Sequence, residues 1–125
     1  MLSVIHGVAD AWDHGNIPGA AFFEPSLTIV DDTPPYLFQG RNAVANWIKA
    51  YRDAQPKGSE GAKASLHFLE PQTVEIKGAR AYVAVPGEWT VEQNGQSNVS
   101  HGIITVILDR ARQNWRIATW VWTPR

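Results

Sequence analysis

The chain has 125 residues, 11 Lys and Arg against 12 Asp and Glu, and a formal net charge of −1. One domain of that length buries a core without disulfides or metals, and no basic run supplies the face that nucleic-acid phosphates require. Cysteine is absent, which excludes disulfide frames, thiol nucleophiles and zinc–thiolate sites.

In chain order, Leu2, Ile5, Val8, Ala9 and Trp12 recur at three and four residues, the stripe of an amphipathic helix. Asp13 borders that stripe, and Gly15 is the expected stop. Residues Ile17 to Phe23, with Pro18 in the first turn, suit a second short helix that Pro25 ends. Leu27 to Val30 alternates as a short strand, and Asp31-Asp32 with Pro34-Pro35 stops it, since proline lacks the ladder donor. Tyr36 to Phe38 is a second extended piece. Gly40 then turns into a third helix with Ala43, Val44, Trp47, Ile48 and Tyr51 on one face.

Ala54 to Ala62 is polar and glycine-rich, and a mobile loop that gates a cavity is expected there. From Lys63 the pattern is strand throughout. Lys63 to Lys77 alternates, with Pro71 marking a bulge or an edge. Arg80 to Glu92 follows, and Asn94-Gly95 is the strongest hairpin signal in the chain. Ser97 to Asp109, a turn at Arg112 to Asn114, and Trp115 to Thr123 complete the series. Strands of about 13 residues twist and curl. A curled sheet with helices in its hollow encloses a cavity, and six tryptophans need such a pocket, a core or an interface to bury them.

The order of helices, a short strand, a helix and a four-strand meander resembles the SnoaL-like branch of the nuclear-transport-factor-2-like superfamily. Pro25-x-Leu27-x-Ile29, the Gly40 to Tyr51 helix motif and Trp115-Arg116-Ile117 carry the likeness. It implies an α+β fold: a cone-shaped, curved, antiparallel (mixed) sheet with about three N-terminal helices in its concave face. The motifs identify a fold and leave the chemistry open.

Two enzyme families of that superfamily bear on function. Val30-Asp31-Asp32 is similar to the segment holding the base of ketosteroid isomerase, with Asp32 at the base position. The matching oxyanion-hole positions fall on Val8 and near Ile103 or Ile104, which donate nothing to a developing enolate. Ala9 to Asp13 and His67-Phe68 resemble scytalone dehydratase, and that likeness implies Asp13 and His67 as a catalytic pair. The family's tyrosine before the aspartate is Trp12 here. Its second-strand tyrosine falls at Asp31 and its second histidine at Gly87.

The expected reading is a lyase (dehydratase) or isomerase acting on a small apolar cyclic molecule, with an Asp13–His67 dyad exchanging a proton. Trp12, Asp32, Tyr36, Trp47, Tyr51, Trp89, His101, Thr105 and Trp120 are the expected substrate-binding residues. Against it stands a non-catalytic ligand-binding or structural domain, in which Asp13 is a solvated helix end, His67 structural and Asp31-Asp32 a turn. No dinucleotide, phosphate-loop, zincin or serine-hydrolase motif is present, and four scattered histidines give no metal site, so no cofactor is expected. No membrane or nucleic-acid partner is expected either. The protein is read as cytoplasmic. Trp120 and Trp122 opposite Thr119 and Val121 put apolar groups on both faces of one strand, which implies a homodimer, or a trimer, through the outer sheet face.

Overall fold

A computed structural model describes residues 1–13, 22–55 and 62–125, the side chain of Trp12 excepted. The elements are α1 (Leu2–Asp13), β1 (Phe23–Val30), β2 (Leu37–Gly40), α2 (Ala43–Asp53), β3 (Lys63–Phe68), β4 (Thr73–Lys77), β5 (Arg80–Gln93), β6 (Gln96–Ala111) and β7 (Asn114–Pro124). The strands form one open mixed sheet in the order β2-β1-β7-β6-β5-β3, with β4 beside β3 on β5. Only β1 and β7 run parallel among the paired strands described.

Turn chemistry sets the long hairpins. Asn94 and Gly95 have φ of 55° and 76°, the pair of positive values that a two-residue type I′ loop needs. That turn fixes the β5–β6 register from Gln93↔Gln96 to Arg80↔Asp109. Pro71 divides the stretch before it into two strands. Leu69 N–H donates to Pro86 O at 2.9 Å and Gln72 N–H to Ala84 O at 2.8 Å, and Pro71 between them has no donor to give. The expected single strand from Lys63 to Lys77 is therefore β3 and β4, and the four-strand meander has five strands.

The start of the chain also differs from expectation. Two helices occur among the described residues, against about three expected. The second expected helix lies mostly outside the described residues, and Phe23 already opens β1. Pro25 sits inside that strand, where the β1–β7 register breaks between Phe23 and Thr28. Most of the loop expected to gate the cavity also lies outside the described residues.

Both helices pack on one face of the sheet. Ile5, Val8 and Ala9 of α1 and Ala43 and Trp47 of α2 join one core with Ile29, Leu66, Val83, Val85, Ile104, Val106, Leu108, Ile117 and Trp120. On β6 the even-numbered residues from Gly102 to Leu108 are buried and the odd-numbered ones half-buried, the period of a strand with one covered face. A register shift between Ile107 and Leu108 leaves Ala118 without a partner on β6. This extra residue lets Ile117 and Trp120, three apart, both point inward.

Candidate functional site

The covered face of the sheet does not close completely under α2. A cavity of about 310 Å³ remains between α2, the turn after β1 and the strands β3, β5, β6 and β7, within the size range of small-molecule sites. Its walls are aromatic. Trp47 projects from α2 onto Trp120 of β7, with ring centroids 6.5 Å apart. One helical turn on, Tyr51 meets Trp89 of β5 edge to face at 5.8 Å. Phe68 supports Trp120 from behind at 6.4 Å. Trp47 and Trp120 are buried, whereas Tyr51, Trp89 and Trp122 are half-buried.

Trp122 reaches the cavity because two glycines make room for it. Gly87 and Gly102 are paired across β5 and β6. A Cβ on Gly102 would lie 2.5 Å from Trp122 Cη2, and one on Gly87 would lie 3.6 Å from Cζ3. The indole therefore lies across two side-chain-free positions, close to the backbone.

The polar groups gather at one end. Asp31 Oδ2 accepts the Thr33 N–H at 3.2 Å. Asp31 N–H donates to Tyr36 O, and Tyr36 N–H to Thr33 O. These bonds close a turn that brings Asp31, Asp32 and Thr33 to the cavity, where Gln55 and Ser100 join them. Partial desolvation, and then the neighbouring Asp31 charge, push the Asp32 carboxyl above its ordinary value, although its own N–H opposes this. Burial chiefly raises Tyr51, the Asp31 charge adding to it, while a hydrogen bond from the Trp89 indole works the other way. Tyr51 is thus a protonated phenol whose oxygen accepts from Trp89. A carboxyl with raised proton affinity and a phenol able to donate a hydrogen bond border the same cavity.

Of the expected binding residues, Asp32, Trp47, Tyr51, Trp89 and Trp120 line this cavity. Three others do not. Tyr36, with φ of 75°, is 57% exposed on the far side of the turn. His101 and Thr105 belong to the odd-numbered set of β6, and Ser100 and Ile104 of the even set face the cavity instead. The side chain of Trp12 is outside the described residues.

No hydrogen bond between Asp13 and His67 occurs among the described residues. The Asp13 carboxylate accepts the backbone N–H of Leu66 at 3.2 Å, which docks the end of α1 on β3. Leu66 is buried against the cavity and His67, next along the strand, is exposed. His67 borders a separate open cleft of about 500 Å³ with His6 and Glu70, beside α1. No group of three or more His, Asp or Glu suited to a metal ion occurs among the described residues.

Thr33, Gln55, Leu66, Val91, Ser100 and Trp122 also line the cavity and were not expected to. Trp122 carried a signal, since it shares strand parity with Trp120. Gln55 follows Tyr51 by one helical turn, and its Nε2 donates to Tyr51 O at 3.1 Å.

An α+β domain whose helices cover one face of an open mixed sheet, with an aromatic cavity between them, is the class of protein these features define. The fold is that of the nuclear-transport-factor-2-like superfamily. A superfamily protein of that name from Salmonella enterica superimposes with a TM-score of 0.75 at 16% identity, over 98% of this chain and 86% of its own. Aln2 from a Streptomyces species gives 0.79 at 16% identity over 98% and 86%. A protein from Novosphingobium aromaticivorans provisionally named a scytalone dehydratase gives 0.77 at 10% over 99% and 80%. In sequence, no family model and no curated protein matches the chain. No helix among the described residues is long and apolar enough to cross a membrane.

Proposed function

We propose that the protein is a small-molecule acid–base enzyme, a lyase or isomerase acting on a cyclic substrate inside the aromatic cavity. The observation that supports this reading is that Asp32, solvent-exposed but with its proton affinity raised, and the half-buried Tyr51 phenol line one tryptophan-walled cavity. A ring seated between the indoles would present a carbonyl oxygen to Tyr51 O–H. Asp32 in its ionised form would then take a proton from the adjacent carbon. Returning it to another carbon gives isomerisation, and returning it to a departing hydroxyl gives dehydration. Sequence likeness assigned this work to Asp13 and His67. In this structure one Asp13 carboxylate oxygen is engaged by the Leu66 N–H, and His67 is exposed and absent from the cavity lining.

The test is solvent exchange. Small ring ketones, cyclohexanone and tropinone, are incubated with the protein in D2O and followed by proton NMR. Enzyme-dependent loss of the signals beside the carbonyl supports the reading. Binding without exchange above the buffer rate favours the alternative, a non-catalytic ligand-binding domain.

A homodimer through the outer sheet face belongs to the same proposal, on grounds that differ from the expected ones. Trp120 and Trp122 face the cavity and contribute nothing outside. The outer face instead carries cross-strand rows, Tyr82–Ile107–Thr119 and Ala84–Thr105–Val121. These rows are mostly apolar, and Tyr82 is 42% exposed.

A further inference from the structure

The charge pattern of the cavity narrows what it takes. Four tryptophans and Tyr51 present π-faces and edges to the space, Asp31 and Asp32 stand at one end, and no Lys, Arg or His is among its described lining residues. An indole face attracts a cation more strongly than any other side-chain ring does, and the attraction grows as water is excluded. A carboxylate pair adds a field of the same preference. A negatively charged ligand would meet two carboxylates with no cation among the described lining residues to offset them. A neutral ring would gain burial but would leave that field unused.

From this we infer that the cavity is selective for a ring-bearing organic ammonium, its charged nitrogen held among the indoles and turned toward Asp31 and Asp32. The inference rests on the cavity being the ligand site proposed above, and it names the class of substrate that enters. Asp31 supplies the fixed charge, and the turn built on its bond to Thr33 N–H holds it in place. Asp32 carries the exchangeable proton. A bound ammonium would favour its ionised form, so ligand binding and readiness to accept a proton are linked. This also gives the acidic end a use that the expected apolar substrate did not.

The test compares two probes of equal shape and different charge, benzyltrimethylammonium and its carbon isostere neopentylbenzene, by quenching of the indole fluorescence. The ammonium is expected to bind at least about tenfold more tightly, a ratio within reach of a desolvated cation–π contact assisted by a carboxylate. Asp31→Asn and Asp32→Asn should each reduce the ratio of ammonium to neopentylbenzene affinity, and an unchanged ratio in both overturns the role given to the carboxylates. Circular dichroism reports that the variants are folded. The asparagine at position 31 keeps an oxygen for the Thr33 N–H. Equal affinities, or tighter binding of neopentylbenzene, overturn the ammonium assignment and leave the ligand cavity standing. If neither probe quenches, both the assignment and the cavity reading fail.

Discussion

The Trp122 indole lies directly over the Cα of Gly102, so close that a methyl group there would fall 2.5 Å from Cη2 and 2.8 Å from the backbone oxygen of Thr123. The contact defines one wall of the cavity. Because the second obstacle is backbone, a larger residue cannot be accommodated by turning the indole alone. Gly102→Ala should destabilise the protein by about 1–3 kcal/mol, the usual cost of overpacking. Gly87→Ala meets its neighbours at ordinary contact distance, 3.5 Å at the nearest. It should stay within about 0.5 kcal/mol of wild type. Urea denaturation of the two variants checks the contrast, and equal losses would contradict the seat described for Trp122.

Asp32 makes a pH-dependent prediction. Folding raises its pKa, so the folded form holds the proton more tightly than the unfolded chain does. The stabilisation that protonation gives is complete below the ordinary value of 3.8. It is lost as pH rises through the folded value. At neutral pH the ionised carboxylate is therefore a small liability, and Asp32→Asn should raise Tm slightly there and leave it unchanged near pH 3. A Tm that falls at pH 7 would mean that Asp32 holds the fold together.

Tyr51→Phe removes both a donor to the ligand and the acceptor of the Trp89 N–H. Leaving that half-buried indole N–H without its partner should cost about 1 kcal/mol. Loss of the hydrogen bond to a developing oxyanion should slow exchange by about 10²-fold. A calorimetric melt and the exchange assay read the two effects separately. A variant with full exchange activity would remove Tyr51 from the chemistry.

Much of this fold was legible in the sequence because its signals are local. The Asn94-Gly95 turn, the Pro71 break and the apolar face of α2 each follow from a few adjacent residues. The inward face was harder to choose. Alternation on β3 offers two sets, and the apolar set with Leu66 and Phe68 is the one that faces the core, which turns His67 outward. On β6 both sets are apolar, Ile104 and Val106 against Ile103 and Ile107, so alternation alone could not place His101 or Thr105. The seat of Trp122 depends on the registers of both β5–β6 and β6–β7. No single stretch of sequence holds that information.

Assembly is open to a direct check. Light scattering at micromolar concentration should report a dimer, and Ile107→Lys, which places a charge in the middle of the outer face, should yield monomers. A monomeric wild-type protein would contradict the proposed interface.

The central claim is that the acid–base chemistry belongs to Asp32, in the cavity, and not to His67, outside it. Deuterium exchange into tropinone, measured side by side for wild type, Asp32→Asn and His67→Ala, tests it most directly. The account predicts a loss of about 10²- to 10⁴-fold for Asp32→Asn and a rate close to wild type for His67→Ala. Exchange that survives Asp32→Asn and disappears with His67→Ala would contradict it.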